Sequence, residues 1–121
     1  MGAVAATKIT QGNLIYRVNA DGESVTVSST SRKPTQLTIG SSISDGNGKS
    51  YTVTKIGMGA FNNVRNTLTE VTLPPTLDEI EDSAFFQCSS LTEITIPEGV
   101  TKIGTNAFYG CSQLTSITIP S

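Results

Sequence analysis

Residues 68–90 and 91–113 are two copies of one 23-residue segment. The first reads LTEVTLPPTLDEIEDSAFFQCSS, the second LTEITIPEGVTKIGTNAFYGCSQ, and a third copy opens as LTSITIPS at Leu114. Nothing else in the chain limits its fold as tightly. A unit this short cannot bury its own apolar face, whereas stacked units give each apolar position a matching neighbour above and below. The chain therefore reads as a solenoid in which each unit contacts its neighbours. Such an architecture displays a surface more readily than it encloses a reaction.

The aligned copies give L-x-x-[VI]-x-[LI]-P-x-x-[LV]-x-x-I-x-x-x-A-F-x-x-C-x-x. Leu68, Val71, Leu73 and Leu91, Ile94, Ile96 alternate over a short run, the period of a strand. Pro74 and Pro97 end that run by withholding a ladder donor. Leu77, Ile80 and their counterparts Val100, Ile103 form a second short extended piece. Ala84-Phe85 and Ala107-Phe108 read as a tight or 3-10 turn that carries a ring inward. A period of about 20–29 residues built from short strands and turns indicates a mostly β leucine-rich-repeat solenoid. Leu73, Ile80, Phe85, Leu91, Ile94, Ile96, Ile103 and Phe108 are the expected core. Lys55, Glu79 and Lys102 precede equivalent isoleucines, so they should stack as an alternating charge ladder.

A degenerate copy precedes the two full ones. Val53-Thr54-Lys55-Ile56 matches the second extended piece, Ala60-Phe61 matches Ala84-Phe85, and Val64 falls near the cysteine position. Upstream the period vanishes and turn chemistry replaces it. Leu14–Val18 and residues 24–28 alternate around Asp21-Gly22, a hairpin signal. Residues 37–43 and 51–56 flank Asp45-Gly46-Asn47-Gly48, a second hairpin. The expected organisation is a loose segment at 1–12 and an N-terminal β-hairpin cap at 13–52. Repeats then fill 53–121: degenerate at 53–67, full at 68–90 and 91–113, truncated at 114–121. The break within the third copy reads as a fragment of a longer array with an open apolar edge at Leu114, Ile117 and Ile119.

Cys88 and Cys111 stand one repeat apart. Stacked strands lie about 4.8 Å apart, within Cα range of a disulfide. Equivalent side chains point the same way, however, and their Cβ atoms stay farther apart than the usual ~3.8 Å. Two free thiols serving as small apolar groups are expected.

The run LTEITIPEGVTKIGTNAFYGCSQLTSITIP resembles the BspA-type leucine-rich repeats of bacterial surface proteins, which also occur in some parasitic protists. GKSYTVTKIGMGAF is similar to the segment that often opens such arrays. The resemblance is strong over about residues 35–121 and looser over 13–34. It implies a secreted or surface-anchored protein that binds host matrix proteins or other cells, with no shared catalytic residues.

The remaining constellations argue against chemistry. The chain has no histidine, so Ser-His-Asp, Cys-His and His-bearing metal sites are excluded. A net charge of -2 with scattered Lys and Arg gives no cationic stripe for nucleic acid. No apolar run reaches the ~20 residues of a membrane span, no charged segment with an apolar run opens the chain, and no cofactor motif is present. Apolar residues at 36%, with 11 glycines in 121, suffice for a core. Asp78, Glu79, Glu81 and Asp82 read as solvated positions around Ile80 rather than a Ca²⁺ or glycosidase site. Asp45–Lys49 lacks the twelfth-position Glu of a calcium loop, because Ile56 stands there. Gly57-x-Gly59 lacks the third glycine and helix of a phosphate cradle, and Gly57 aligns with Glu81 and Gly104, so that position does not demand glycine.

One candidate surface is left, the outward strand columns Thr69/Thr92/Thr115, Glu70/Glu93/Ser116 and Thr72/Thr95/Thr118. The expected function is a non-enzymatic protein-recognition or adhesion module taking a host matrix or cell-surface protein. A structural spacer presenting other domains is the alternative, and a glycan-binding module a third. Nothing in the sequence sets the oligomeric state.

Overall fold

The structure, a computed structural model, describes residues 7–118 and their side chains except those of Ser116 and Thr118. It consists of strands and tight turns. Strands β1 (Lys8–Gln11), β2 (Leu14–Val18), β3 (Ser24–Thr30), β6 (Ser50–Ile56), β8 (Glu79–Ile80) and β10 (Lys102–Ile103) follow one another across the larger sheet, and β5 (Ser42–Ser44) pairs with β6. The smaller sheet runs β4 (Gln36–Thr38), β7 (Glu70–Thr72), β9 (Glu93–Thr95), β11 (Ser116–Thr118). Each coil therefore contributes one strand to each sheet, and neighbouring coils pair in parallel within both. This is the leucine-rich-repeat solenoid read from the period.

The register reproduces the repeat alignment. Lys55 faces Glu79 and Lys102 faces Glu79, as Ile56, Ile80 and Ile103 do in the next position. Apolar columns fill the space between the sheets. Leu37, Val71 and Ile94 form one, Val53 and Leu77 another, and Val64 and Cys88 a third, all buried. Phe61, Phe85 and Phe108 stack as a ladder, with centroids 4.7 and 5.1 Å apart and interplanar angles of 18° and 6°. Left-handed backbone recurs just before the alanine of each coil, at Gly59 (φ 64°), Ser83 (φ 57°) and Asn106 (φ 60°). This conformation turns the chain sharply enough to drop the ring inside, and the polar short side chains tolerate it.

Two of the expected core residues depart from the list. Ile103 is 42% exposed and Phe108 is half-buried, whereas their counterparts Ile80 and Phe85 are 0% exposed. Burial in a solenoid needs a coil on both sides, and β10 is the last strand of its sheet among the described residues. Leu114 is half-buried and Ile117 is 39% exposed, while Ile119 lies outside the described residues.

Three readings of the N-terminal region are corrected. Residues 1–6 lie outside the described residues, but Lys8–Gln11, expected to be loose, form β1 against β2. Gly12 (φ 61°) occupies the first central position of a two-residue turn, where left-handed backbone is needed, and Ile9 is buried in the core. Residues 37–43 do not form one hairpin arm. They divide into β4, which pairs in parallel with β7 in the smaller sheet, and β5, which forms the hairpin with β6. The degenerate repeat therefore begins at β4 rather than at Val53, and the β5–β6 hairpin is an insertion within that coil. Its turn is held by Asp45, whose Oδ1 accepts from the backbone N–H groups of Asn47 (2.7 Å) and Lys49 (3.3 Å).

The third correction concerns Gly57. A Cβ there would stand 2.9 Å from the Val27 carbonyl oxygen, so glycine is required where β3 pairs in parallel with β6. The β2–β3 hairpin forms as expected, with Gly22 at φ 68°. The Asp21 carboxylate accepts from the N–H groups of Glu23 (2.8 Å) and Ser24 (2.9 Å) and from the Ser24 hydroxyl (2.8 Å). Those bonds, the Glu23 N–H first, hold its carboxyl below the ordinary carboxylate range.

The charge ladder is present. Glu79 bridges Lys55 at 3.3 Å and Lys102 at 3.8 Å, and Lys55 also meets Asp78 at 3.0 Å. The Asp78 contact, partly offset by burial and joined by Glu79, raises the Lys55 ammonium above its ordinary value. Glu79→Lys would place three cations in register. We expect it to lower stability by about 1 kcal/mol, with a larger loss at low salt than at high salt. A loss independent of salt in urea titrations would contradict the electrostatic reading.

Both cysteines are free. Burial and then the nearby Cys111 push the Cys88 thiol up to about 12, which keeps it neutral under the Phe ladder. The Cys111 thiol donates to the Phe85 carbonyl oxygen at 3.2 Å, another bond from one coil to the previous one.

Candidate functional site

The outward side chains of the smaller sheet form the candidate surface, and the structure divides its columns by what they do. Strand alternation sends Val71 and Ile94 into the core and leaves Glu70, Thr72, Glu93 and Thr95 exposed. Thr69, Thr92 and Thr115 stand one residue before the strands. There each backbone N–H and hydroxyl donate to one carbonyl of the preceding coil. Thr69 Oγ1 reaches Thr35 O at 2.9 Å, Thr92 Oγ1 reaches Thr69 O at 3.2 Å, and Thr115 Oγ1 reaches Thr92 O at 3.2 Å. Their N–H groups bond the same oxygens at 2.7, 3.2 and 2.9 Å. This column clamps coil to coil. Ser116 and Thr118 lie in β11, in register with Glu93 and Thr95; their side chains are outside the described residues.

The other two columns stand beside a groove of about 500 Å³. One wall is the strand face, Glu70, Thr72, Glu93 and Thr95. The other comes from the turns after the strands, Pro75, Pro97, Glu98 and Gly99, and the buried Val71, Leu73 and Ile94 complete the lining. Pro97, which ends its strand, and Pro75, one residue past the strand-ending Pro74, thus also shape a wall. That role was not legible in the repeat pattern, because Pro75 aligns with Glu98 and falls outside the repeated proline position. Glu70 and Glu93 are register partners on adjacent parallel strands.

The acidic residues read as solvated positions face outward and are half-buried or exposed, and they also bind into the stack. Beyond the ladder contacts of Asp78 and Glu79, Glu81 Oε1 accepts from the Met58 N–H at 3.2 Å, and Asp82 Oδ1 from the Thr105 N–H at 2.8 Å. An exposed aromatic step, Tyr109 on Phe86 with centroids 5.4 Å apart, was also missed. The two rings occupy the variable position after the inward phenylalanine, which the consensus writes as x.

Strands that alternate between two sheets and pair in parallel from coil to coil, an inward phenylalanine ladder and a displayed strand face define a leucine-rich-repeat protein. The sequence profile of the BspA type leucine-rich repeat region (6 copies) matches residues 39–121, and the chain belongs to that family. A leucine-rich cell surface protein from Faecalibacterium prausnitzii A2-165 is 33% identical with a TM-score of 0.80, over 93% of this chain and 30% of that one. A leucine-rich repeat protein from Bacteroides ovatus ATCC 8483 is 32% identical with a TM-score of 0.85, over 93% and 29%. One from Bacteroides capillosus ATCC 29799 is 26% identical with a TM-score of 0.69, over 96% and 100%. The chain thus spans less than a third of the first two proteins. No curated protein matches it. Among the described residues no helix is long and apolar enough to cross a membrane.

Proposed function

We propose that this chain is a non-enzymatic protein-recognition module of a bacterial cell-surface or secreted protein, and that it serves adhesion to a host matrix or cell-surface protein. The observation that carries the reading is the groove of about 500 Å³ on the outward face of β7 and β9. Its strand wall consists of exposed side chains that make no side-chain hydrogen bond or ion pair among the described residues, while the Thr69/Thr92/Thr115 column beside it does the clamping. A rigid sheet presenting ordered, uncommitted side chains binds a protein at low conformational cost. Membership of a family with cell-surface relatives supports the location.

The test is binding to immobilised extracellular-matrix and cell-surface proteins by the wild type and by Thr72→Trp/Thr95→Trp, which fills the groove without changing charge. We expect saturable binding that falls at least about tenfold in the double variant, the effect of losing roughly 1.4 kcal/mol, with an unchanged melting temperature. Binding that survives the substitution would remove this face from the account, and no binding would favour a spacer.

A further inference from the structure

Resting on the recognition reading above, we infer that the groove between β7 and β9 takes an extended segment of a partner protein bearing lysine or arginine. The chain has ten acidic residues. Seven have intramolecular partners. Glu23, Asp78 and Glu79 meet lysines, and Asp21, Asp45, Glu81 and Asp82 accept backbone N–H bonds. Among the described residues the three without a side-chain partner are Glu70, Glu93 and Glu98, and all three line this one groove. No lysine or arginine lines it.

The two sheets of the solenoid make the contrast sharper. On the larger sheet the register column reads Lys55, Glu79, Lys102, with opposite charges adjacent and in contact. On the smaller sheet the equivalent neighbours are Glu70 and Glu93, like charges on adjacent strands, a pairing that destabilises a sheet. A cationic group docked between them converts that repulsion into attraction. The groove fits such a group in shape as well. Pro75 and Pro97 offer apolar surface to the alkyl stem of a lysine or arginine, while the carboxylates meet its charged end. The carboxylates are too dispersed for one metal ion: among the described residues no three acidic groups converge. They suit separated cationic side chains along a chain.

The experiment is an amide-shift titration of the isotopically labelled protein with two hexapeptides of glycine and alanine, one carrying two arginines and the other two glutamines. The arginine peptide is expected to shift the amides of residues 70–73 and 93–99. Its affinity should fall about fivefold in Glu70→Gln or Glu93→Gln, and about tenfold from low to physiological ionic strength. The melting temperature of either variant should hold or rise, since the like-charge pair is relieved, so lost binding cannot be ascribed to misfolding. Equal binding of the glutamine peptide in the groove would overturn the charge preference and leave the groove as a recognition site. Shifts confined to other surfaces would overturn both, and no shift with the arginine peptide would overturn this inference.

Discussion

Phe85→Ala is expected to lower stability by about 3–5 kcal/mol, the cost of deleting a fully buried ring and leaving its cavity. Phe85 is 0% exposed and stacks on Phe61 on one side and Phe108 on the other. Removing it takes a stacking contact from two neighbouring coils at once. Against a typical total of about 5–15 kcal/mol, the loss should be plain in urea denaturation. Phe108→Ala should cost less, because Phe108 is half-buried with a ring on one side only. Equal losses at the two positions would contradict the coil-by-coil account of burial.

Gly57→Ala should cost about 1–3 kcal/mol through overpacking. The added Cβ would meet the Val27 carbonyl oxygen at 2.9 Å and Thr26 Cγ2 at 3.0 Å, where the Gly57 N–H already bonds that oxygen at 2.8 Å. A backbone oxygen in the middle of the larger sheet cannot move aside, so relief must come from parting β3 from the end of β6. Gly40→Ala is the control: the nearest atom would be an ordinary 3.8 Å away, and its melting temperature should be unchanged within error. If both variants melt alike, the cap is not seated as described.

The columns were legible because a stack repeats its constraints. Val53/Leu77, Ile56/Ile80 and Phe61/Phe85 could be aligned from residue type alone, and the Lys55–Glu79–Lys102 ladder followed from the same offset. What failed was whatever a repeat alignment averages away. Ile103 has the sequence environment of Ile80, yet its exposure depends on its place in the stack. Gly57 aligns with Glu81, but the carbonyl that crowds it comes from β3, outside the repeat. Residues 37–43 read as one hairpin arm, although Gly40-Ser41-Ser42 interrupts the apolar alternation between β4 and β5. β1 carries one core residue, Ile9, too few for a periodic signal.

The candidate columns were legible as strand positions but not resolved into their parts. Threonine at 69, 92 and 115 is a strand former in sequence and a clamp in space, because its hydroxyl reaches the carbonyl of the preceding coil. Glu70 and Glu79 look alike in sequence. Only the fold shows that one faces a like charge and the other two lysines.

The most direct measurement is amide hydrogen exchange on the protein bound to a matrix or cell-surface partner recovered by the immobilised panel. The account predicts added protection in the turns and strand ends at residues 70–75 and 93–99, with β3, β6 and β8 unchanged. Protection centred on Phe86 and Tyr109, or on the larger sheet, would contradict it.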